Sequence, residues 1–445
     1  MARAREVATL WTGGSLSWLE QLCLKSFVDR GQKVTLFSYA DVANLPEGVI
    51  RRDAGEIAAA DALAGGGVAV ERELFRDYFR IQVLRHWSGT IWVDPDVYCH
   101  RPLDFDGDYV LGFAVPESDE VGLSVLGLPV QSPILADLTA LMSDPHAIPP
   151  HLKPSRIAAC EAAKAAGRPV HVGRQPAGAW GAKMITHLVG AHRLKGKVQP
   201  ADTFYPVSLS RRRALLRAPG KVAAMLTDRT VAMPLWRANR QEIALWYGGL
   251  PPRGSCLEEL AKLHGIRPED APVDHRGNGA GEPGLLGFLP EGKRVASLAD
   301  LGGTAEALAL AAHARDGCRI VLIDVDDRGE FAKTESSWVA PYRKALARAG
   351  VPAGQVSVIR DAAGLGPVDL LCNLAGFGDA HEVGGLEPFL TACLHPDSLM
   401  LMDLRKGSGG YPFLKALGRC ETISSRKDAR GTVSRVLFRP VSADR

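Results

Sequence analysis

The chain has no paired cysteines. Its eight cysteines lie at 23, 99, 160, 256, 318, 372, 393 and 420, and none forms a Cys-x-x-Cys pair. That spacing argues against zinc and dithiol redox frameworks, and scattered thiols suit a reducing cytoplasm. No apolar run approaches the roughly 18 residues of a membrane-spanning helix. Met1–Trp11 carries Arg3, Arg5 and Glu6 but no apolar stretch long enough for a signal peptide. Charge of one sign is also scarce: the net charge is +3, which makes no case for nucleic acid, and no such partner is expected. Neither an internal repeat nor a low-complexity tail is present. With 46% hydrophobic and 23% charged residues, the composition is that of a soluble globular protein.

At 445 residues the chain exceeds one ordinary core, so two domains are expected. The first half opens with a strand over Glu6–Trp11, a Gly13-Gly14 turn and a helix from about Ser17 to Asp29, with Ser15 or Ser17 as N-cap. Gly31 ends that helix, and Lys33–Tyr39 reads as the next strand. Strand–helix–strand order predicts a parallel, helix-covered sheet. Gly, Pro and Asp crowd the segments Gly248–Gly254 and Arg267–Pro283, so 251–290 reads as a linker between a domain over 1–250 and another over 291–445. In the second, strands are expected at Arg294–Leu298, Arg319–Ile323, Val356–Arg360, Asp369–Asn373 and Leu399–Asp403. An antiparallel pair, Glu421–Ser425 with Thr432–Phe438, closes the set. The fold class is α/β throughout, the second domain Rossmann-like and ending in a hairpin.

Asp94-Pro95-Asp96 is the motif that points to chemistry. An amphipathic helix over Phe75–Leu84 and a turn at Trp87–Thr90 lead to the strand Ile91–Val93, which ends on these two acids. In an open α/β sheet, ligands sit beyond the carboxyl ends of strands. Two carboxylates one residue apart can both reach a divalent cation, and Mg2+ or Mn2+ is often bound by one or two carboxylates plus substrate phosphates. An isolated Asp-x-Asp is common in solvated turns; the run around this one sets it apart. Asp77, Arg80 and Leu84 share one helix face. Arg80 by itself could be a surface cation. The cluster Arg211–Arg213 with Arg217 and Lys221 reads as a solvated face.

These residues resemble a known family. Leu10–Glu20, Ser26-Phe27, Gly31 and Leu36–Tyr39, then Asp77, Arg80, Gly89, Trp92, Asp94 and Asp96, look like the DxD-containing sugar-binding glycosyltransferases of GT-A type, which include clostridial glucosylating toxins and bacterial polysaccharide enzymes. The similarity runs over about 5–245, with weaker echoes at Gly178–Thr186 and Phe204–Pro206. It implies a nucleotide-sugar donor site made of Trp11 on the base, Gly13, Tyr39, Asp77, Arg80 and Asp94. Asp94 and Asp96 would hold Mn2+ or Mg2+, and Asp96 and Arg80 would be the catalytic pair. The resemblance further implies retention of anomeric configuration. The chain departs from the pattern at Arg76 (Ser in the family), at Ser88 (Gly) and at Pro234, which stands where a His-Leu-Trp segment supplies its histidine.

The second half looks like a class I S-adenosylmethionine-dependent methyltransferase over about 290–440. Gly302-Gly303 follow the first strand. Asp324 ends the next strand and Asp361 the third, where ribose and adenine contacts would fall. The run Asp369–His381 with Met402–Arg405 looks like a sugar O-methyltransferase type. Thr304 and Glu306 occupy two of the usual glycine positions and add bulk where a cofactor would approach the backbone. His381 is either a base for a sugar hydroxyl or a structural histidine.

The sequence therefore predicts a cytoplasmic, metal-dependent retaining glycosyltransferase acting on a glycan or lipid-linked acceptor in surface polysaccharide synthesis. It has no transmembrane segment, though peripheral membrane contact is compatible. The alternatives are a sugar O-methyltransferase with a glycan-holding first domain, and a non-catalytic glycan-binding or assembly protein.

Overall fold

The computed structural model describes residues 5–63, 72–176, 178–247, 249–271, 295–301, 304, 307, 311, 317–326, 329–348, 350–374, 376–428 and 431–441. The chain divides into two compact units, Met1–Asn239 with Pro251–Asp270, and Arg240–Leu250 with Ala271–Arg445.

The first unit is built on strands β1 (Val7–Leu10), β2 (Val34–Ser38), β3 (Val49–Asp53), β4 (Ile91–Val93), β5 (Val97–Cys99), β6 (Val125–Leu126) and β7 (Ala232–Pro234). Five form one sheet in the order β3-β2-β1-β4-β6. β1 to β4 run parallel, and β6 is antiparallel to β4. Parallel neighbours need crossovers: helix α1 (Trp18–Asp29) joins β1 to β2 and helix α2 (Arg72–His86) leads from β3 to β4, while β2 reaches β3 through a helix-free segment. α1 starts where a capping box forms: Leu19 N–H donates to Ser17 Oγ at 3.3 Å and Ser17 N–H to Glu20 Oε2 at 3.1 Å. Gly31, at φ +78°, ends it. β1 and β2 are buried along their whole length, as strands covered on both faces must be. Phe79 fastens α2 to the sheet, its ring 5.7 Å from Phe37 and 6.3 Å from Trp92. Truncating Phe79 to alanine would cost about 3–5 kcal/mol. The chain order reverses between β1 and β4, so the crevice of this sheet opens at their carboxyl ends.

The second unit holds β8 (Ser297–Leu301), β9 (Arg319–Ile323), β10 (Val356–Ile359), β11 (Leu370–Asn373), β12 (Leu399–Arg405), β13 (Gly418–Asp428) and β14 (Gly431–Pro440). Their order is β10-β9-β8-β11-β12-β14-β13. The first five are parallel, and β14 and β13 form an antiparallel hairpin at the edge. Both units are thus α/β with parallel sheets.

Two expectations change. β8 starts at Ser297, not Arg294, so Asp300 lies inside the strand. A buried acid fits there because Tyr342 Oη–H donates to its Oδ2 at 2.6 Å. The expected linker over 251–290 begins with a folded piece of the first unit. Ser255 caps a helix over Cys256–Leu263 that buries Leu257 and Ala261. Pro252 and Gly254 mark a turn into that helix, not a boundary between cores; residues 272–290 lie outside the described residues.

Candidate functional site

The site grows from the carboxyl end of β4. Asp94 and Asp96 follow it directly, while Asp77 and Arg80 come from α2 one turn apart. Arg80 is 2% exposed. Its Nη1 donates to Asp77 Oδ1 at 2.7 Å and its Nη2 to Asp94 Oδ1 at 2.9 Å. The Trp92 indole N–H adds a third donor to that group, reaching Asp94 Oδ1 at 3.0 Å. Arg80 also lies 5.3 Å from the Trp92 ring centroid. Its charge is engaged behind the acids, so Arg80 orients Asp77 and Asp94 from within.

The three carboxyls titrate apart. Burial alone would raise Asp94, but the charges of Arg80 and Arg76 hold it below the usual range. For Asp77, burial outweighs Arg80 and the carboxyl is raised. For Asp96, burial and the neighbouring charge of Asp94 push the carboxyl up to about 6.

Residues far along the chain close on this cluster. β7 pairs with β5 so that Pro234 faces Val97. Leu235 N–H donates to the Asp96 carbonyl at 2.8 Å, and Arg237 N–H to Asp96 Oδ2 at 2.8 Å. Between them Trp236 takes φ +62°, a costly conformation for a large side chain. Its indole donating to the Val207 carbonyl at 2.7 Å anchors it there. Tyr205 receives the Ser124 N–H at 2.9 Å. Burial, and then the charge of Asp94, raise its phenol well above the usual range. A Cβ at Gly181 would stand 3.4 Å from Asp77 Oδ2, so the backbone approaches that carboxylate closely. The echoes around Gly178–Thr186 and Phe204–Pro206 therefore converge here. The Arg237 amide carried no distinct sequence signal, and Trp92 stood in the matched run without its bond to Asp94 being expected.

Other expected donor residues sit at neighbouring strand ends. Trp11 follows β1, is 4% exposed, and donates its indole N–H to the Ser15 carbonyl at 3.0 Å. A Cβ at Gly13 would press on that indole at 3.0 Å. Tyr39 follows β2 and donates its hydroxyl to the Ala58 carbonyl at 2.7 Å.

The donor set does not support the expected Mn2+ or Mg2+ site at Asp94 and Asp96. Asp94 Oδ1 already accepts two hydrogen bonds, and Asp96 Oδ2 accepts the Arg237 amide. Proline, at 234, offers no ligand atom on its side chain. Among the described residues, no group of three or more His, Cys, Asp or Glu is set to hold a metal ion.

In the second unit, Gly302, Gly303 and Glu306 lie outside the described residues. Thr304 Oγ1 accepts the Ala307 N–H at 3.2 Å. Asp324, fully buried, accepts the Ser336 N–H on Oδ2 at 3.1 Å, while its buried Oδ1 has no partner among the described residues. Asp361 is exposed and caps its own turn through Gly364 N–H at 3.0 Å. The ends of β9 and β10 are tied by Asp324 N–H to the Ile359 carbonyl at 2.9 Å. His381 joins Phe331, Phe377, Phe389, Glu330 and Glu382 around a cavity of about 580 Å³. The loops after β9 and β11 form it, on either side of β8. Among the described residues, no helix is long and apolar enough to cross a membrane.

No protein-family profile matches the chain. No curated protein matches it. Similar solved structures include precorrin 8w decarboxylase from Methanobacterium thermoautotrophicum (13% identity, 35% of this chain and 88% of that one, TM-score 0.26). A second is a proposed O-methyltransferase from Klebsiella pneumoniae (12% identity, 33% and 74%, TM-score 0.25). A third is the ribosomal protein L11 methylase of Lactobacillus delbrueckii subsp. bulgaricus (16% identity, 34% and 72%, TM-score 0.23).

Proposed function

We propose that the first unit is a GT-A-type glycosyltransferase, which moves a sugar from a nucleotide-sugar donor to a hydroxyl of a glycan or lipid-linked acceptor in surface polysaccharide synthesis. One observation carries the reading: Asp77, Arg80, Asp94 and Asp96 meet at the switch-point crevice of a parallel sheet, and the segments holding Gly181, Tyr205 and Arg237 enclose them. Such a cluster suits a polyhydroxylated, phosphorylated ligand. Asp77 and Asp94, held by Arg80, accept hydrogen bonds from sugar hydroxyls. The bond from the anomeric carbon to the diphosphate breaks with its electron pair on the phosphate oxygen. The acceptor oxygen bonds to that carbon from the same face, and its proton leaves with the diphosphate. The eight cysteines are all free and seven are buried, which supports action in a reducing cytoplasm.

The test is release of nucleoside diphosphate from a panel of nucleotide sugars, with and without Mn2+. Turnover of at least one donor is expected. No turnover of any donor, together with no thermal stabilisation by any of them, would overturn the reading.

A second reading gives the second unit a nucleoside cofactor, S-adenosylmethionine, for methyl transfer to a sugar hydroxyl. The observation favouring it is the partnerless buried Oδ1 of Asp324 at a strand end, which a ribose hydroxyl would satisfy. Thr304 weighs against it through bulk at a glycine position. Calorimetry with S-adenosylmethionine and S-adenosylhomocysteine separates the outcomes: a dissociation constant near 1 μM, about −8 kcal/mol, establishes the cofactor, and absence of heat removes it.

A further inference from the structure

Arg76 is the cation of the acidic cluster that the chemistry above leaves unused. It precedes Arg80 by four positions on α2, so the two guanidiniums rise from the same helix face. Arg80 is locked between Asp77 and Asp94. Arg76 is partly exposed. Among the described residues, nothing hydrogen-bonds or pairs with its guanidinium, whose Nε is buried. Yet its charge acts on Asp77, Asp94 and Asp96 alike, favouring the ionised form of each against their burial. A guanidinium one helical turn before Arg80, paired with none of the described residues, has its fork available. That planar fork matches a phosphate in two parallel hydrogen bonds.

Part of what a divalent ion would use is already engaged, since Asp94 Oδ1 accepts from Arg80 and from Trp92. Pro234 stands beside Asp96, and the Arg237 amide already holds that carboxylate. We propose that Arg76 binds the diphosphate of the nucleotide sugar directly, in the role a divalent ion would otherwise fill, so that donor binding by this chain is independent of metal. The inference rests on the nucleotide-sugar reading. When the anomeric carbon–oxygen bond breaks, the electron pair stays on the diphosphate oxygen and Arg76 faces the charge that develops there. The acceptor hydroxyl oxygen forms the new bond, and its proton goes to the released diphosphate.

Calorimetric titration of the full chain with UDP, GDP and ADP, each in EDTA and in Mn2+, tests this. At least one diphosphate should bind in EDTA with an affinity that Mn2+ leaves essentially unchanged. Arg76→Gln should lose about tenfold or more in EDTA, the size of a lost charge-assisted hydrogen bond. Arg76→Lys should recover part of the loss, and both variants should keep the wild-type melting temperature. Binding that appears only with Mn2+ would overturn the inference and leave the nucleotide-sugar reading standing. Unchanged affinity in both Arg76 variants would do the same. No binding of any diphosphate in either medium would sink both.

Discussion

Asp96 accepts the backbone N–H of Arg237 at 2.8 Å, across 141 positions of sequence. That bond fixes one carboxylate oxygen of a group whose pKa is pushed up to about 6 by burial and by Asp94. It also explains why Trp236 tolerates φ +62°: relaxing that residue would swing the amide away from the acid. Strain at one residue and order at another are two ends of the same device.

The Asp96→Asn variant is expected to keep its fold, because an amide oxygen can still accept from Arg237. Turnover of donor should fall by about 10²-fold or more, because the substitution removes the negative charge set to face the positive charge that develops at the anomeric carbon. Released nucleoside diphosphate at the wild-type rate would refute the role of Asp96.

Arg80→Met should act mainly on stability. It leaves Asp77 and Asp94 facing each other, each 13% exposed, without their shared cation. Removing one partner of a buried pair costs about 3–5 kcal/mol. Urea unfolding measures it. A loss under about 1 kcal/mol, the range of exposed ion pairs, would show that Arg80 is not the internal brace.

In the second unit the corresponding test is Asp403. Arg435 donates to it twice, Nε to Oδ1 at 2.7 Å and Nη2 to Oδ2 at 2.8 Å, with both residues 1% exposed. Asp403→Ala should cost about 3–5 kcal/mol, and adding Arg435→Met should restore much of the loss because the stranded charge disappears. A double variant worse than the single one would contradict this account.

Acid stability should depend on Asp29. Burial raises its carboxyl, but hydrogen bonds from Lys25 and from His264, the latter 2.7 Å from Oδ2, outweigh that and lower it. A depressed folded pKa contributes stability above the unfolded value, and that contribution fades as pH falls through the folded one. The melting-temperature gap between wild type and Asp29→Asn should therefore be constant above about pH 5 and shrink below about pH 4. A gap that widens on acidification would reverse the sign and exclude the mechanism.

The sequence by itself determined what short-range chemistry controls. The apolar stripe of α1, its Ser17 cap and the Gly31 stop are set within a few residues. The buried runs of β1, β2, β9, β11 and β12 need no distant partner to be read as strands. The strand-ending Asp94 and Asp96 and the closing hairpin were legible for the same reason. Only the tertiary structure decided which charges meet. Arg80 bridges two acids, one of them 14 positions away, the Arg237 amide reaches Asp96, and Pro251–Asp270 folds with the first unit. The strand expected to end at Leu298 runs on through Asp300 to Leu301, because a distant Tyr342 hydroxyl satisfies the buried acid there. Hydrophobic period and turn residues are local signals, whereas the pairing of buried polar groups is settled by packing.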